Sequence, residues 1–207
     1  MVDVATDTRL RIIEAARTRL LADGYAGLST RKVAEEAGVP LSQLHYHFGS
    51  KGGLITALFA GENNRLLERQ TDMYAQDMPL WQRYEQACDF LEDDLESGYV
   101  RVLQEMLAAG WSNPEIGNVV RDLLSRWFVL LAEVAREAER RFGALGPFTP
   151  EEIATLVANA FIGSEALLLL GFERPVMPIR SALRRIGVII REREEAAGAV
   201  GPPIVAG

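Results

Sequence analysis

Cysteine, histidine and lysine are scarce in this chain of 207 residues, and their scarcity excludes several classes of protein. The single cysteine, Cys88, rules out an internal disulfide and a cysteine-rich metal site. The two histidines, His45 and His47, lie two residues apart, so no histidine elsewhere is present to act as a general base. The chain also lacks a nucleophile elbow, a phosphate-cradling glycine loop and zinc-ligand spacing. We therefore expect a protein that is not an enzyme and that has no cofactor and no metal site.

Long uncharged apolar runs are also missing. No stretch reaches the roughly 18 uncharged apolar residues that a membrane span needs. Asp3 and Asp7 precede any apolar run at the amino end, which is unlike a secretory signal. Hydrophobic residues make up 48% of the chain and charged residues 25%, which is ordinary for a soluble globular protein. These features predict a cytoplasmic protein with no membrane contact.

Positive charge is in deficit, since the net charge is −7, and a global basic signature of nucleic-acid binding is absent. The charge is unevenly distributed, because the first 60 residues carry a net +1 and the remainder −8. Both lysines, Lys32 and Lys51, and both histidines lie in those first 60 residues. This pattern predicts a local basic face with few phosphate contacts and hence a modest salt dependence of DNA binding.

The segment 28–54 has the pattern of two short helices joined by a tight turn. Leu28 and Val33 flank Ser29 with the spacing of a hydrophobic staple, which predicts a helix that begins at Ser29 or the next residue. Gly38 then stands where a left-handed residue commonly ends a helix. The next helix can begin just after that turn.

The second helix of this segment has an apolar side and a polar side. Pro40 is well tolerated in a first helical turn, and Leu44 and Phe48 would face inward at positions i and i+4. Amide, hydroxyl, imidazole and phenol groups on the other side can hydrogen-bond base edges and phosphates. This arrangement indicates a helix-turn-helix whose second helix enters the major groove. The residues left mostly facing outward are Leu41, Ser42, Gln43, His45, Tyr46 and His47.

In this segment the chain resembles the tetracycline-repressor (TetR) family of transcriptional regulators. The matching elements, in order, are Thr30-Arg31-Lys32, Ala37-Gly38-Val39, Leu44-His45-Tyr46-His47-Phe48, and Ser50-Lys51 followed by Leu54. Two residues depart from the pattern, because Pro40 replaces the usual Ser or Thr cap and His45 replaces the commoner Tyr. The resemblance implies an all-α protein with a three-helix DNA-binding head and a larger helical body that binds an effector and dimerises.

The resemblance also implies roles for the residues of the reading surface. Arg31 and Gln43 become the base readers, since Arg can fork onto guanine and Gln onto adenine. Leu41 and Ser42 take the other base-facing positions, with Leu41 against a thymine methyl. Phosphate contacts are implied for Thr30, Tyr46, His47 and Lys51. The complete predicted DNA-binding set is Thr30, Arg31, Lys32, Leu41, Ser42, Gln43, His45, Tyr46, His47 and Lys51, and the alternative is an exposed polar face with no partner.

Helical spacing of apolar residues continues to the end of the chain, which predicts an all-α fold of about nine helices. We expect frayed residues at 1–7, where Arg9 and Arg11 form a short basic arm or carry solvated tail charge. Helices are expected at about 8–23, 51–67, 80–96, 100–109, 115–142, 151–171 and 179–195, besides the two of the helix-turn-helix. The predicted divisions are a DNA-binding domain at 1–52, an effector-binding and dimerisation domain at 53–197 and a disordered tail at 198–207.

Within the body, the helix at 151–171 is apolar on nearly all sides, through Phe161, Ile162, Gly163 and residues 166–170. A second copy of the same helix would cover one side and make a homodimer, as the resemblance also implies. The last helix would supply the other half of this interface through Ile179, Leu183, Ile186 and Ile190. The alternative is a core helix of a monomer.

Several large side chains are spread over the body helices, and core packing accounts for any one of them. The resemblance implies a mostly apolar effector cavity among these helices, with a few placed polar groups. Glu165 is the candidate polar group, although it can equally lie at a dimer seam or pair with an arginine. The predicted effector-binding set is Trp81, Tyr84, Met106, Trp111, Trp127, Phe128, Phe161 and Glu165.

Taken together, these features predict a TetR-like repressor that binds a palindromic DNA operator as a homodimer and is released by a small apolar effector. Two alternatives stay open. One is a DNA-binding adaptor controlled by a protein partner, which a tightly filled body would favour. The other is a helical enzyme with a vestigial DNA-binding head, which turnover of a ligand would reveal.

Overall fold

A computed structural model describes residues 4–199, and in that range the chain forms nine α-helices. The all-α class predicted from the sequence is confirmed. In these residues the one β feature is an isolated bridge between Arg174 and Met177. The helices are α1 (Val4–Gly27), α2 (Thr30–Glu36), α3 (Leu41–Phe48), α4 (Lys51–Tyr74), α5 (Leu80–Ser97), α6 (Tyr99–Ser112), α7 (Pro114–Phe142), α8 (Pro150–Leu169) and α9 (Ile179–Ala199).

Local capping contacts set the starts of α7 and α8. Before α8, Thr149 Oγ1 accepts the Glu152 N–H at 3.2 Å and Glu152 Oε2 accepts the Thr149 N–H at 2.8 Å, which is a complete capping box. Asn113 Oδ1 accepts the Glu115 N–H at 3.0 Å before α7. Each contact satisfies a backbone donor that has no partner within its own helix.

Other helix ends differ from the sequence prediction. The helix α1 begins at Val4, so the expectation of frayed residues is wrong for 4–7, while residues 1–3 lie outside the described range. Ser29 precedes α2 with extended backbone angles, yet its side chain makes no capping hydrogen bond. The helix α6 continues beyond Gly110. The helix α9 includes residues 198 and 199, and the remainder of the predicted tail, 200–207, lies outside the described residues.

The chain divides into two compact units, and the first comprises Met1–Leu66 with Ser97–Leu124. Its apolar core contains residues of α1 to α4 together with residues of α6 and α7. The α1 backbone leaves helical geometry at Gly24 (φ 68°, ψ 171°), and Glu105 of α6 accepts the following Tyr25 N–H at 2.9 Å. Because of this bond and the shared core, α6 belongs with α1 to α4 in this unit.

The second unit comprises Leu67–Glu96 with Ser125–Gly207. It includes α5, α8, α9, the end of α4 and most of α7. Arg83, only 3% exposed, lies at its centre and donates to Met78 O at 3.0 Å, to Tyr74 O at 2.9 Å and to Glu137 Oε2 at 3.1 Å. One buried cation therefore joins the end of α4, the start of α5 and α7.

Among the described helices, α8 is the one with the length and composition of a membrane-crossing segment. Its longest uncharged run ends at Glu165, whose side chain is buried. The helix packs against α9, and only part of its apolar surface is covered within the protomer. The same composition suits a helix that is covered on one side by its own chain and on another side by a second chain.

Candidate nucleic-acid interface and ligand cavity

The turn between α2 and α3 has the geometry of a helix-turn-helix. Val33 and Leu44 are completely buried, which fixes the inner sides of the two helices. Gly38 adopts φ 63°, a left-handed conformation that costs a glycine little. Its N–H donates to Glu35 O at 3.1 Å, and the next N–H, that of Val39, donates to Ala34 O at 3.0 Å. The left-handed residue predicted at this turn is confirmed.

Arg11 of α1 braces this turn, a role that the sequence did not suggest. Its Nη2 donates to Ala37 O at 2.5 Å and to Gly38 O at 3.3 Å. Both carbonyls lie at the end of α2, where helical carbonyls lack intrahelical partners. Arg9 lies on the same helix, with its guanidinium 5.4 Å from the centroid of the Phe48 ring. The prediction that Arg9 and Arg11 form a basic arm or carry solvated tail charge is therefore wrong. Both residues belong to α1, and they contact Phe48 of α3 and the turn between α2 and α3, respectively.

The outward face of α3 is polar and exposed. Ser42, Gln43, His45 and Tyr46 are exposed, and Tyr46 is 81% exposed. Leu41 and His47 are half-buried at the edges of this face. The Nδ1 atom of His45 lies 3.0 Å from Gly49 O, and because a carbonyl only accepts, Nδ1 carries the proton. The Nε2 atom of His45 then remains available for an outside partner.

The basic residues of the predicted DNA-binding surface differ in the ion pairs and hydrogen bonds that they make within the protein. Arg31 is exposed and has no ion-pair partner among the residues that the structure describes. Lys32 Nζ lies 3.6 Å from Asp23 Oδ2. Lys51 Nζ donates to Tyr25 O at 2.5 Å and lies 4.4 Å from the centroid of the Tyr25 ring. Burial lowers the pKa of Lys51.

Nine of the ten predicted DNA-binding residues lie on α2 or α3, and all of these nine except Leu41 have a polar side chain. Thr30 opens α2 and is half-buried, like Leu41 and His47. Lys51 opens α4 and is already bonded to the protein, so a phosphate would have to compete with the Tyr25 carbonyl. The ten residues thus lie on α2, on α3 and at the start of α4, all within the first unit.

Comparison with known proteins agrees with this geometry. Residues 12–58 match the family described as bacterial regulatory proteins, tetR family. The chain carries a DNA-binding domain of the TetR family. It is a DNA-binding transcriptional regulator, and the matched residues include all of α2 and α3. The regulators of this family bind DNA and small-molecule effectors as dimers.

Relatives extend the likeness beyond the TetR DNA-binding domain. The HTH-type transcriptional regulator UidR of Escherichia coli is 24% identical over 152 residues, which cover 69% of this chain and 71% of UidR. The transcriptional regulator FadR from Bacillus subtilis, solved in complex with stearoyl-CoA, has a TM-score of 0.70 and 15% identity, with coverage of 86% and 97%. A regulator from Saccharomonospora viridis, solved with choline, has a TM-score of 0.73 and 22% identity, with coverage of 87% and 95%. These two structures show that the TetR fold extends over most of the chain.

The second unit contains an apolar cavity of about 310 Å³, a volume within the range of small-molecule sites. It lies among α5, α7, α8, α9 and the end of α4. Arg193 is the charged residue on its wall, and no sequence signal predicts this because the contact depends on how α9 packs. The lining residues are Tyr74, Leu80, Tyr84, Leu131, Val134, Ala135, Ala138, Phe142, Ala144, Leu145, Ile153, Ala154, Leu156, Val157, Ile186, Ile189, Ile190 and Arg193.

Of the eight predicted effector-binding residues, Tyr84 lines this cavity. Met106 and Trp111 lie in the first unit, where Met106 is completely buried in the core and Trp111 is 86% exposed. Neither of these two residues lines the cavity. Trp81, Trp127, Phe128, Phe161 and Glu165 lie in the second unit but outside the cavity lining.

The polar groups of Tyr84 and Trp127 are committed within the protein. Tyr84 donates its hydroxyl to Leu183 O at 3.0 Å, and its ring lies 6.0 Å from that of Phe161. Trp127 Nε1 donates to Gln70 Oε1 at 2.7 Å. Burial raises the pKa of the Tyr84 hydroxyl, so this group stays neutral in the cavity wall. Tyr84 therefore offers a ligand mainly the face of its ring.

Proposed function

We propose that this chain is a repressor that binds a palindromic operator as a cytoplasmic homodimer and is released by a small, mostly apolar effector. The exposed polar face of α3, held in place by the buried side chain of Leu44, is the observation that carries the proposal. A helix anchored on one side and polar on the other can enter a major groove without losing its own packing. A dimer bound across a promoter then represses by excluding polymerase.

The proposed base readers are Arg31 and Gln43. Both side chains are exposed, and Arg31 has no competing ion pair among the described residues. A bidentate contact from Arg to guanine or from Gln to adenine contributes about 1–3 kcal/mol of discrimination. Leu41 and Ser42 complete the base-facing surface. The phosphate contacts come from Thr30, Lys32, His45, Tyr46, His47 and Lys51.

The proposed dimer interface is the apolar surface that α8 and α9 leave uncovered. Leu169 and Leu170 near the end of α8, and Val188 on α9, are exposed in the protomer. The sequence prediction for α9 needs correction, because Ile179 and Leu183 are buried inside the protomer and Ile186 and Ile190 line the cavity. The outward apolar residue of α9 is Val188, which is exposed and does not line the cavity. Helical periodicity alone did not distinguish the two sides.

Control by a small molecule is supported by the cavity, since a completely filled second unit would favour a protein partner instead. The FadR structure holds stearoyl-CoA and the Saccharomonospora viridis structure holds choline, so proteins of this fold accept small ligands. In the proposed mechanism, ligand binding shifts the long helix α4, whose residues run from the first unit into the second. A preference of the ligand for the non-binding state by about 1–3 kcal/mol changes operator occupancy appreciably.

Selection of bound duplexes from a random pool tests this proposal. The expected result is a palindrome whose enrichment disappears for the double variant Arg31→Ala, Gln43→Ala. A matched control is Arg140→Ala, which removes an exposed arginine from α7 and leaves the reading surface intact. Recovery of no common sequence by the wild-type protein, or of the same palindrome by the double variant, contradicts the assigned surface.

A further inference from the structure

The cavity of the second unit has one charged group and a long apolar wall. Apart from Arg193 and two tyrosines, every residue that lines it has an apolar side chain. Leu156 and Ile189 line the cavity although they are 52% and 60% exposed, so the cavity is open to the outside beside them. A ligand can therefore enter without unfolding the unit.

The guanidinium of Arg193 is available to a ligand. Arg193 is exposed, and no ion pair or hydrogen bond of its side chain occurs with a described residue. The neighbouring carboxylate of Glu194 is occupied, because it accepts the Leu80 N–H at 3.3 Å and lies 3.7 Å from Arg141 Nη1. Arg141 is thus already paired with Glu194, whereas the guanidinium of Arg193 on the cavity wall can bind a ligand.

We propose that the cavity binds an aliphatic carboxylate of medium chain length, with the chain inside the cavity and the carboxylate on Arg193. This assignment rests on the proposed function, in which the same cavity receives the effector. Arginine matches a carboxylate with two parallel hydrogen bonds, whereas an alcohol offers no charge and an ammonium group is repelled. Because Arg193 is exposed, the carboxylate keeps part of its hydration and avoids the full cost of burying an ion.

Isothermal titration of the full-length protein with three ligands of equal chain length tests the assignment. The probes are decanoate, decanol and decyltrimethylammonium, all below their aggregation concentrations. We expect decanoate to bind about tenfold more tightly than decanol, since a charged pair worth about 1.4 kcal/mol corresponds to a factor of ten. The cationic probe should bind most weakly.

Two substitutions at the exposed Arg193 then separate charge from packing without disturbing the core. In Arg193→Ala, decanoate should bind only as well as decanol, and decanol binding should be unchanged. In Arg193→Glu, the order of the two charged probes should reverse. Arg140→Ala serves as the matched control, because it removes an exposed arginine that does not line the cavity, and all three affinities should stay at their wild-type values.

Equal affinity for decanoate and decanol, no binding of any probe, or an unchanged preference in Arg193→Glu overturns the assignment. Operator binding measured with and without decanoate keeps this result distinct from the proposed function. If decanoate binds through Arg193 but leaves operator affinity unchanged, the ligand assignment stands and effector control fails. If the selected operator is bound and decanoate is not, DNA binding stands and the ligand assignment fails.

Discussion

Replacement of Arg83 by Met should strongly destabilise the second unit. The side chain of Arg83 is 4% exposed, and it donates to two backbone carbonyls, Tyr74 O and Met78 O, besides pairing with Glu137. Met has a similar length and no donor, so the substitution leaves the acceptors without a partner while roughly preserving volume.

The magnitude follows from what each acceptor loses. Breaking a buried ion pair on one side costs about 3–5 kcal/mol, but Glu137 is 24% exposed and keeps a second contact with Arg141 at 2.6 Å. That part of the cost is therefore reduced to about 1 kcal/mol, the value of a partly solvated pair. The two carbonyls add about 1 kcal/mol each at the lower end of the range for buried unsatisfied groups. The expected loss is about 3 kcal/mol.

Urea unfolding at fixed protein concentration measures this loss, because the midpoint of a dimer depends on concentration. With a slope of about 2–3 kcal/mol per M, the midpoint should fall by about 1–1.5 M. Arg83→Lys retains the charge but reaches fewer acceptors, so it should fall between the wild type and Met. A loss below about 1 kcal/mol for Arg83→Met would refute the reasoning, since it would mean that water or a neighbouring donor satisfies the same acceptors.

Three further predictions concern the thiol, the dimer face and the start of α4. Burial raises the pKa of Cys88 to about 11, so a thiol reagent should react slowly at pH 8 and rapidly once urea unfolds the protein; fast reaction of the folded protein would contradict this. Leu169→Asp should shift light-scattering mass toward the monomer with unchanged helix content, whereas Val129→Asp, at a more exposed apolar residue of α7, should leave the mass unchanged; a dimeric Leu169→Asp protein would exclude this face. A Cβ at Gly53 would lie 2.2 Å from Phe48 O, so Gly53→Ala should displace the end of α3 and lower the melting temperature, and an unchanged temperature and operator affinity would show that no such contact exists.

Features set by short-range sequence signals were predictable. The capping box of Thr149 and Glu152 and the left-handed Gly38 each depend on residues a few positions apart, whose preferences are known without the tertiary structure. The polar face of α3 was predictable for the same reason, because a single buried Leu44 fixes which side points outward. Family resemblance then supplied the role of that face.

Features that depend on long-range packing were not predictable. Arg11 contacts carbonyls 26 and 27 residues away, and Arg193 reaches the cavity wall only because α9 packs where it does. The sequence prediction assigned the large side chains of the body to one effector site. In the structure, Gly98, with φ 84°, separates α5 from α6, and these two helices belong to different units. Met106 and Trp111 on α6 consequently belong to the first unit and do not line the cavity.

The central claim is that two α3 helices of a dimer read two half-sites on one face of a duplex. Fluorescence anisotropy with the selected palindrome, compared with the same duplex carrying about 5 extra base pairs at its centre, tests it most directly, because half a helical turn moves one half-site to the opposite face. The account predicts two chains per duplex and a loss of affinity of at least about 100-fold for the lengthened duplex, close to the level of non-specific binding. Equal affinity for both duplexes would contradict it.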